Sequence, residues 1–122
     1  MIKDSPFFEK KAFLENKSAF AIYDGYPISP GHSLIVPKLQ VKSVFDLNEK
    51  DYLNCFRLIL EVKVFLEKKF KCKNFNIGIN NGEIAGQTIE HAHIHVIPRY
   101  KNDTNDPRGG VRNILKDKSG YL

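Results

Sequence analysis

The central third of the chain carries a long amphipathic helical pattern. Apolar side chains recur at three- and four-residue steps, at Tyr52, Cys55, Phe56, Ile59, Val62, Leu66 and Phe70. This period predicts an α-helix of about 20 residues with one buried face and one solvated face. Asn48 precedes the pattern and is expected to cap the helix, with Asp51 three residues further on. A single helix of this length must bury its apolar stripe on other elements, so the flanking segments decide the fold class.

Four short segments around the helix predict β-strands, because they are rich in β-forming residues or alternate in polarity between Gly- and Pro-containing turns. They cover residues 18–24, 33–36, 74–80 and 88–97. Strands on both sides of one long helix, with short connections, predict an α+β fold in which an antiparallel sheet of about five strands packs on the helix.

The length of 122 residues allows a single domain. We expect residues 1–100 to form this domain. Residues 101–122 are rich in polar and charged residues, and we expect them to form a basic C-terminal tail packed on the domain or on a partner subunit.

The chain is mildly basic, with 19 Lys and Arg against 14 Asp and Glu, a net charge of +5. This balance suits an anionic partner without identifying one. No basic stripe interleaved with aromatic residues indicates nucleic-acid binding. No apolar run approaches the roughly 20 residues that span a bilayer, and the N-terminus lacks the apolar stretch of a signal peptide. The cysteines, Cys55 and Cys72, form neither a disulfide framework nor a metal clasp. We therefore expect a cytoplasmic protein with no nucleic-acid or membrane partner.

Three of the four histidines lie within five residues. His91, His93 and His95 alternate with Ala92 and Ile94. On a strand, this alternation places the three imidazoles on one face at steps of roughly 6–7 Å. One buried histidine is common in proteins, but three in register are difficult to explain by packing. The row therefore indicates a functional site.

Two kinds of chemistry fit such a row. Histidines two residues apart on a strand can ligate zinc when a further ligand comes from elsewhere, although no acidic residue or cysteine pair follows in a zinc-like pattern. Alternatively, one imidazole attacks phosphorus as a nucleophile. This role requires a neighbour that holds its tautomer and donors for the phosphoryl oxygens, and flanking histidines can supply both.

The fourth histidine, His32, belongs to a wider set of motifs along the chain. They are Gly31-His32, Leu34-Ile35-Val36-Pro37, Asn80-Asn81-Gly82, Ala85-Gly86-Gln87-Thr88 and His91-Ala92-His93-Ile94-His95-Val96-Ile97. In this order, over roughly residues 5–100, the set resembles the histidine triad (HIT) family. A lone pair of spaced histidines would be a weak signal, whereas the full string after Gly-Gln-Thr is specific.

The resemblance implies a hydrolase or transferase that acts on the α-phosphate of dinucleoside polyphosphates or nucleoside phosphoramidates. In this reading His93 is the nucleophile and forms a nucleotidyl-histidine intermediate. His91 and His32 orient the site, and His95 donates to the phosphate oxygens or the bridging atom. The resemblance also implies a purine nucleotide or dinucleoside polyphosphate as substrate and a homodimeric assembly.

The resemblance further assigns six substrate-binding positions, Asp24, Asn80, Gln87, Thr88, Phe7 and Ile22. Asp24 would bind the ribose, Asn80 the phosphate or ribose, and Thr88 the scissile bridge. Phe7 and Ile22 match positions that wall the base pocket. All of these except Gln87 have a structural alternative, because Asp24 and Asn80 suit turns, Thr88 suits a strand, and Phe7 and Ile22 suit the core.

One departure from the family pattern bears on metal binding. Many bacterial relatives open with Cys-Pro-Phe-Cys, which binds structural zinc, whereas this chain has Ser5-Pro6-Phe7-Phe8. We therefore expect no metal and no cofactor. Two alternatives stay open at this stage. They are a metal-dependent hydrolase that uses the histidine row as ligands, and a nucleotide sensor without catalysis.

Overall fold

The computed structural model describes residues 5–115 and residue 118, and it contains a five-stranded sheet with one long helix across one face. The elements are β1 (Leu14–Glu15), β2 (Ala19–Tyr23), β3 (Ser33–Pro37), α1 (Glu49–Phe70), β4 (Asn74–Gly78) and β5 (Ile94–Arg99). The strand order is β1-β2-β3-β5-β4, and every neighbouring pair is antiparallel. The predicted α+β fold is confirmed. The short edge strand β1 was not among the four strands located from the sequence.

The helix α1 begins where the sequence predicts. The side chain of Asn48 accepts a hydrogen bond from the backbone N–H of Asp51 at 2.8 Å, which satisfies one of the free donors of the first turn. The fully buried positions are Cys55, Leu58, Val62 and Leu66. Leu58 was absent from the predicted stripe, which included its neighbours Phe56 and Ile59, and both of these are only partly buried.

The two faces of the sheet carry different clusters. On one face, the side chains of Ala21, Ile35 and Ile94 pack against the buried side of α1. On the other face, a second cluster comprises Phe7, Phe20, Ile22, Leu34 and Val36. The register places Ile22 opposite Leu34 and Leu34 opposite His95. Directly opposed residues share a face, so His95 projects from the side of the sheet away from α1.

The predicted strand over residues 88–97 is wrong at its start, because β5 begins only at Ile94. His91 and His93 precede the strand, and the N–H of Ala92 donates to a backbone carbonyl in the loop after β3 at 2.8 Å. All three of these residues are buried, so the alternation between a histidine face and an apolar face does not hold before Ile94. Packing of the loop, rather than a strand ladder, positions the first two histidines.

The end of β5 also differs from the prediction, since the strand continues through Pro98 to Arg99. Pairing with β3 stops at Val96. Beyond that point the carbonyl of Pro98 accepts a hydrogen bond from the hydroxyl of Ser29 at 2.7 Å. The missing N–H of Pro98 faces this same side, where no strand requires a donor, so proline is tolerated there.

The segment after β5 runs back towards the sheet. A Cβ built on Gly110 would lie 3.3 Å from Nδ2 of Asn76 in β4, so this part of the tail lies close to the domain. The predicted boundary at residue 100 stays a prediction, and residues 1–4, 116, 117 and 119–122 of the two predicted segments lie outside the described residues. Within the described part of the chain, no helix is both long and apolar enough to cross a membrane.

Candidate active site

The four histidines lie close together on the face of the sheet opposite α1. The ring centroids of His93 and His95 are 5.1 Å apart, and those of His95 and His32 are 5.2 Å apart. On the other side, the ring of Phe7 lies 5.0 Å from His93 and 5.6 Å from His91. His32 directly precedes β3 and His95 lies on β5, while the loop before β5 carries the other two. Sheet register and loop packing together bring the four histidines into one cluster.

His93 is held in a defined tautomer by the backbone. Its Nδ1 lies 2.8 Å from the carbonyl oxygen of His91. A carbonyl oxygen can only accept, so Nδ1 carries the proton and Nε2 keeps its lone pair. His93 lines an open cavity of about 620 Å³. The free Nε2 is therefore the ring nitrogen available to a bound substrate.

His32 and His95 form a second hydrogen-bonded pair. The backbone N–H of Ile28 donates to Nδ1 of His32 at 3.2 Å, so the neutral His32 ring carries its proton on Nε2. That nitrogen lies 2.9 Å from Nδ1 of His95 and donates to it. The proton of neutral His95 is consequently on Nε2. A carboxylate oxygen of Asp24 lies 3.3 Å from Nε2 of His32. Its negative charge favours the tautomer of His32 that carries the proton on Nε2.

Burial keeps this pair uncharged. Burial and, to a smaller extent, the neighbouring His93 and His32 lower the pKa of His95 to about 4, although Asp24 acts in the opposite direction. Burial also lowers the pKa of His32, again against the effect of Asp24. Both rings are therefore neutral at pH 7, as the hydrogen bonds require, and His95 presents a single N–H donor.

His91 lies deeper in the protein than the other histidines of the row. Its side chain is fully buried, and its Nε2 donates to the carbonyl oxygen of Pro37 at 2.8 Å. Burial lowers its pKa. Its Nδ1 has no hydrogen-bond partner among the described residues. His91 thus contacts His93 through its backbone carbonyl, whereas His32 contacts His95 through its side chain. Their predicted role in orienting the site stays a prediction.

Most of the predicted site residues line the cavity. The lining includes His93, His95, Phe7, Asp24, Asn80, Gln87 and Thr88. Ile22 does not contribute to this lining and is fully buried in the sheet. Its cross-strand partner Leu34 lines the cavity in its place. The expectation that Ile22 walls the pocket is corrected accordingly, since a strand buried on both faces gives no periodic signal for the pocket side.

Gln87 serves the loop around the cavity. Its amide nitrogen donates to the carbonyls of Lys42 at 2.8 Å and Ile89 at 3.0 Å, and its amide oxygen accepts from the N–H of Gly82 at 2.9 Å. These bonds fasten the turn that carries Thr88 to the loop after β3. Gln87 therefore shapes the cavity wall with an amide whose donors and acceptor are already engaged.

Among the lining residues that the sequence analysis missed are Lys10 and Tyr26. The ammonium of Lys10 lies over Gly25, where a Cβ would be only 2.9 Å from Nζ. No sequence signal separates Lys10 from the other lysines. Tyr26 is 91% exposed and follows Asp24, whose carboxylate accepts the Tyr26 N–H at 2.9 Å. An aromatic residue two positions after a candidate ribose ligand was the sequence signal that could have identified Tyr26.

The possible metal ligands do not coincide with the histidine row. Among the described residues, the group whose donor atoms lie within 4.8 Å of one another comprises Asp24, His32 and His95. Of the row, this group includes only His95. The geometry therefore gives no support to a metal centre built from the three histidines of the row, and the expected absence of a metal stays a prediction.

Comparisons with known proteins agree with this geometry. The sequence profile of the HIT domain matches residues 7–102. An asymmetrical bis(5′-nucleosyl)-tetraphosphatase of Schizosaccharomyces pombe is 36% identical over 96 residues, which cover 79% of this chain and 53% of that protein. A bis(5′-adenosyl)-triphosphatase of Dictyostelium discoideum is 34% identical over 95 residues, covering 78% of this chain and 64% of its own length. The chain thus spans less than two thirds of these relatives.

Solved structures show the same fold. A Streptococcus mutans protein superposes with a TM-score of 0.77 at 30% identity, covering 88% of this chain and 73% of that one. A diadenosine triphosphate hydrolase of Plasmodium falciparum superposes with a TM-score of 0.73 at 27% identity, covering 88% and 70% of the two chains. With a domain match over most of its length and the histidine cluster in place, this chain belongs to the HIT family.

Proposed function

We propose that this protein hydrolyses dinucleoside polyphosphates, and nucleoside phosphoramidates as smaller substrates, at the α-phosphate through a nucleotidyl-His93 intermediate. The observation that carries the proposal is the 2.8 Å hydrogen bond from Nδ1 of His93 to the carbonyl oxygen of His91. It directs the lone pair of Nε2 to substrate in the cavity. The names of the curated relatives support the substrate class.

The reaction takes two displacements at phosphorus. In the first, Nε2 of His93 forms a bond to the α-phosphorus while the bond to the leaving nucleoside polyphosphate breaks. The Nδ1 proton stays on the ring, so the resulting cationic phosphoimidazole is stabilised by the carbonyl of His91. In the second, water attacks phosphorus, the N–P bond breaks, and a nucleoside monophosphate and one proton leave.

His95 supplies the donor that the transition state requires. Its Nε2 carries the proton because Nδ1 accepts from His32. A neutral N–H donor beside the phosphoryl oxygens stabilises the charge that builds up on them. We assign Asp24 to the ribose hydroxyls, Asn80 and Thr88 to the phosphates or scissile bridge, and Lys10 to the anionic substrate, since all four line the cavity.

The intermediate can be trapped directly. Full-length protein is mixed with diadenosine triphosphate labelled at the α-phosphate, quenched in alkali and separated from free nucleotide. We expect acid-labile, alkali-stable label on the wild type and AMP plus ADP by chromatography. His93→Ala should lose both label and turnover while still binding AMP. Thr104→Ala, at an exposed position outside the cavity, is the matched control. Full turnover by His93→Ala would refute the mechanism.

We also propose a homodimer, as the resemblance implies. The helix α1 carries exposed apolar side chains seven and four residues apart at Leu53, Leu60 and Val64, and β4 is an edge strand of the sheet. Light scattering during gel filtration tests this. Leu60→Glu should give monomers, whereas Glu61→Gln should leave the mass unchanged, and a monomeric wild type would exclude the dimer.

A cytoplasmic location, without nucleic-acid or membrane partners, completes the proposal. The buried Cys55 and Cys72 are free thiols, which suits a reducing compartment. Cell fractionation with antibody detection tests the location, and recovery of the protein in a membrane or secreted fraction would contradict it.

A further inference from the structure

A second cavity adjoins the one that holds His93. Its volume is about 390 Å³. Four residues line both cavities, Asp24, Tyr26, Asn80 and His95. His93 lines only the first cavity. The two cavities therefore meet at the donor histidine, with the nucleophile on one side of the junction.

The second cavity has apolar walls. Ile28 and Ile97 line one part of it, and Val111 and Ile114 of the segment Gly110–Ile114 line another. The side chains of Ile28, Val111 and Ile114 are 75%, 58% and 77% exposed. Large exposed apolar side chains around a concave surface are typical of a ligand-binding site. Of the described residues that line this cavity, none is a lysine or arginine, so the cavity suits an uncharged group better than a phosphate.

We propose that this second cavity binds the nucleoside at the far end of the leaving group, so that the protein grips both nucleosides of a dinucleoside polyphosphate. The inference rests on the proposed function. In an in-line displacement, the leaving oxygen departs on the side of phosphorus opposite to the nucleophile. With His93 in the first cavity, the leaving polyphosphate passes His95 and Asn80 at the junction and carries its nucleoside into the second.

The tail segment Gly110–Ile114 sets the outer wall. It lies close to the sheet at Asn76, which also lines the second cavity. At the junction, the exposed ring of Tyr26 offers an aromatic surface, and base–aromatic stacking is favourable for any base. The polar carboxylate of Asp24 and amide of Asn80 stand at the same junction. The second subsite therefore binds a nucleoside by stacking and apolar contact with the face of its base, with little preference between bases.

The test compares two substrates with the same scissile nucleotide and the same three phosphates. One is diadenosine triphosphate, and the other is adenosine triphosphate esterified with methyl on the terminal phosphate, which lacks the second nucleoside.

For the wild type we expect a KM about tenfold lower for diadenosine triphosphate. In Val111→Asp and Ile114→Asp, the ratio of the two KM values should fall to about one. Leu115→Asp, an exposed neighbour that does not line the cavity, is the matched control and should keep the wild-type ratio. Circular dichroism of each variant confirms folding.

The outcomes separate the inference from the proposed function. Equal KM values in an active wild type, or a ratio that survives both aspartate substitutions, would overturn the second subsite and leave the hydrolase proposal intact. Wild-type protein that cleaves neither compound would refute the hydrolase proposal and the subsite together. A ratio that collapses equally in Leu115→Asp would assign the effect to general damage of the tail and would also overturn the subsite.

Discussion

The imidazole of His32 donates from Nε2 to Nδ1 of His95 across 2.9 Å. The direction of this bond follows from the backbone N–H of Ile28, which occupies the other nitrogen of His32. One backbone donor thus determines the tautomer of two rings in succession. His95 is left with its proton on Nε2, on the strand that also brings it to the cavity.

We therefore expect His32→Ala to lower kcat by about 100-fold, the usual weight of a misplaced acid–base group, with a smaller change in KM. His32→Gln should recover part of the loss, because its amide can donate from the position of Nε2. The ¹⁵N spectrum of His95 tests the positioning role specifically. In His32→Ala, the His95 ring should be a mixture of both tautomers, and in His32→Gln the tautomer with the proton on Nε2 should again predominate. An unaltered His95 spectrum in His32→Ala would contradict this role.

The histidine cluster should make stability depend on pH. The pKa of His95 is lowered by burial to about 4, from a usual value of 6.5. Between these values the unfolded chain binds a proton that the folded chain does not, so the free energy of unfolding falls as pH falls. For His95 alone, the loss between pH 7 and pH 5 is about 2 kcal/mol. The lowered pKa values of His32 and His91 act in the same direction.

Urea unfolding at pH 7 and pH 5 measures this loss. His95→Asn removes the titrating group, so its stability should change less between the two pH values than that of the wild type. Asn102→Ala, at an exposed position in the turn after β5, should keep the wild-type pH dependence. A difference between pH 7 and pH 5 that is the same in His95→Asn and the wild type would rule out His95 as its source.

The amide of Gln87 should matter more for the loop than for substrate chemistry. Gln87→Leu removes three hydrogen bonds around the turn, and unpaired backbone groups are costly when partly buried. We expect the free energy of unfolding to fall by about 1–3 kcal/mol, with a higher KM because Thr88 is displaced. Thermal unfolding and steady-state kinetics check both effects. Glu90→Gln, at an exposed position of the same segment, is the control, and equal behaviour of the two variants would contradict the prediction.

Substitution of Gly31 should be costly because of its backbone conformation and its neighbour. Its φ is +86°, and a Cβ would lie 2.9 Å from Cδ2 of Phe70. We expect Gly31→Ala to lower the free energy of unfolding by about 1–3 kcal/mol and to lower kcat by moving His32. Gly78→Ala is the matched stability control, since no atom lies within 4 Å of its added Cβ. Comparable losses from the two substitutions, measured by denaturant unfolding, would contradict this.

Much of the fold was predictable because it depends on local signals. The helix stripe, the Asn48 cap and the strands β2 and β3 follow from side-chain periodicity and capping chemistry, which act over a few residues. The two-residue strand β1 is too short to leave a pattern. Leu58 was missed because the broad apolar stripe of α1 leaves its centre undetermined within one helical step.

Several residues that line the first cavity were predictable from the motifs, but their arrangement was not. Alternation in sequence suggested that His91, His93 and His95 share a strand face, whereas β5 starts only at Ile94. The first two positions are governed by the carbonyl of Pro37 and by the loop after β3, which are distant in sequence. Contacts between residues so distant in sequence leave no local periodicity from which they could be predicted.

The sequence alone therefore determined the α+β class, through the periodicity of its apolar residues. It also determined which chemical groups the site can use, through the spacing of its histidines. Only the tertiary structure decided that Leu34 rather than Ile22 lines the cavity, that His32 acts on His95, and that a second cavity opens beside the first. The reason is that strand register and loop packing set these relations, and both depend on contacts between residues far apart along the chain.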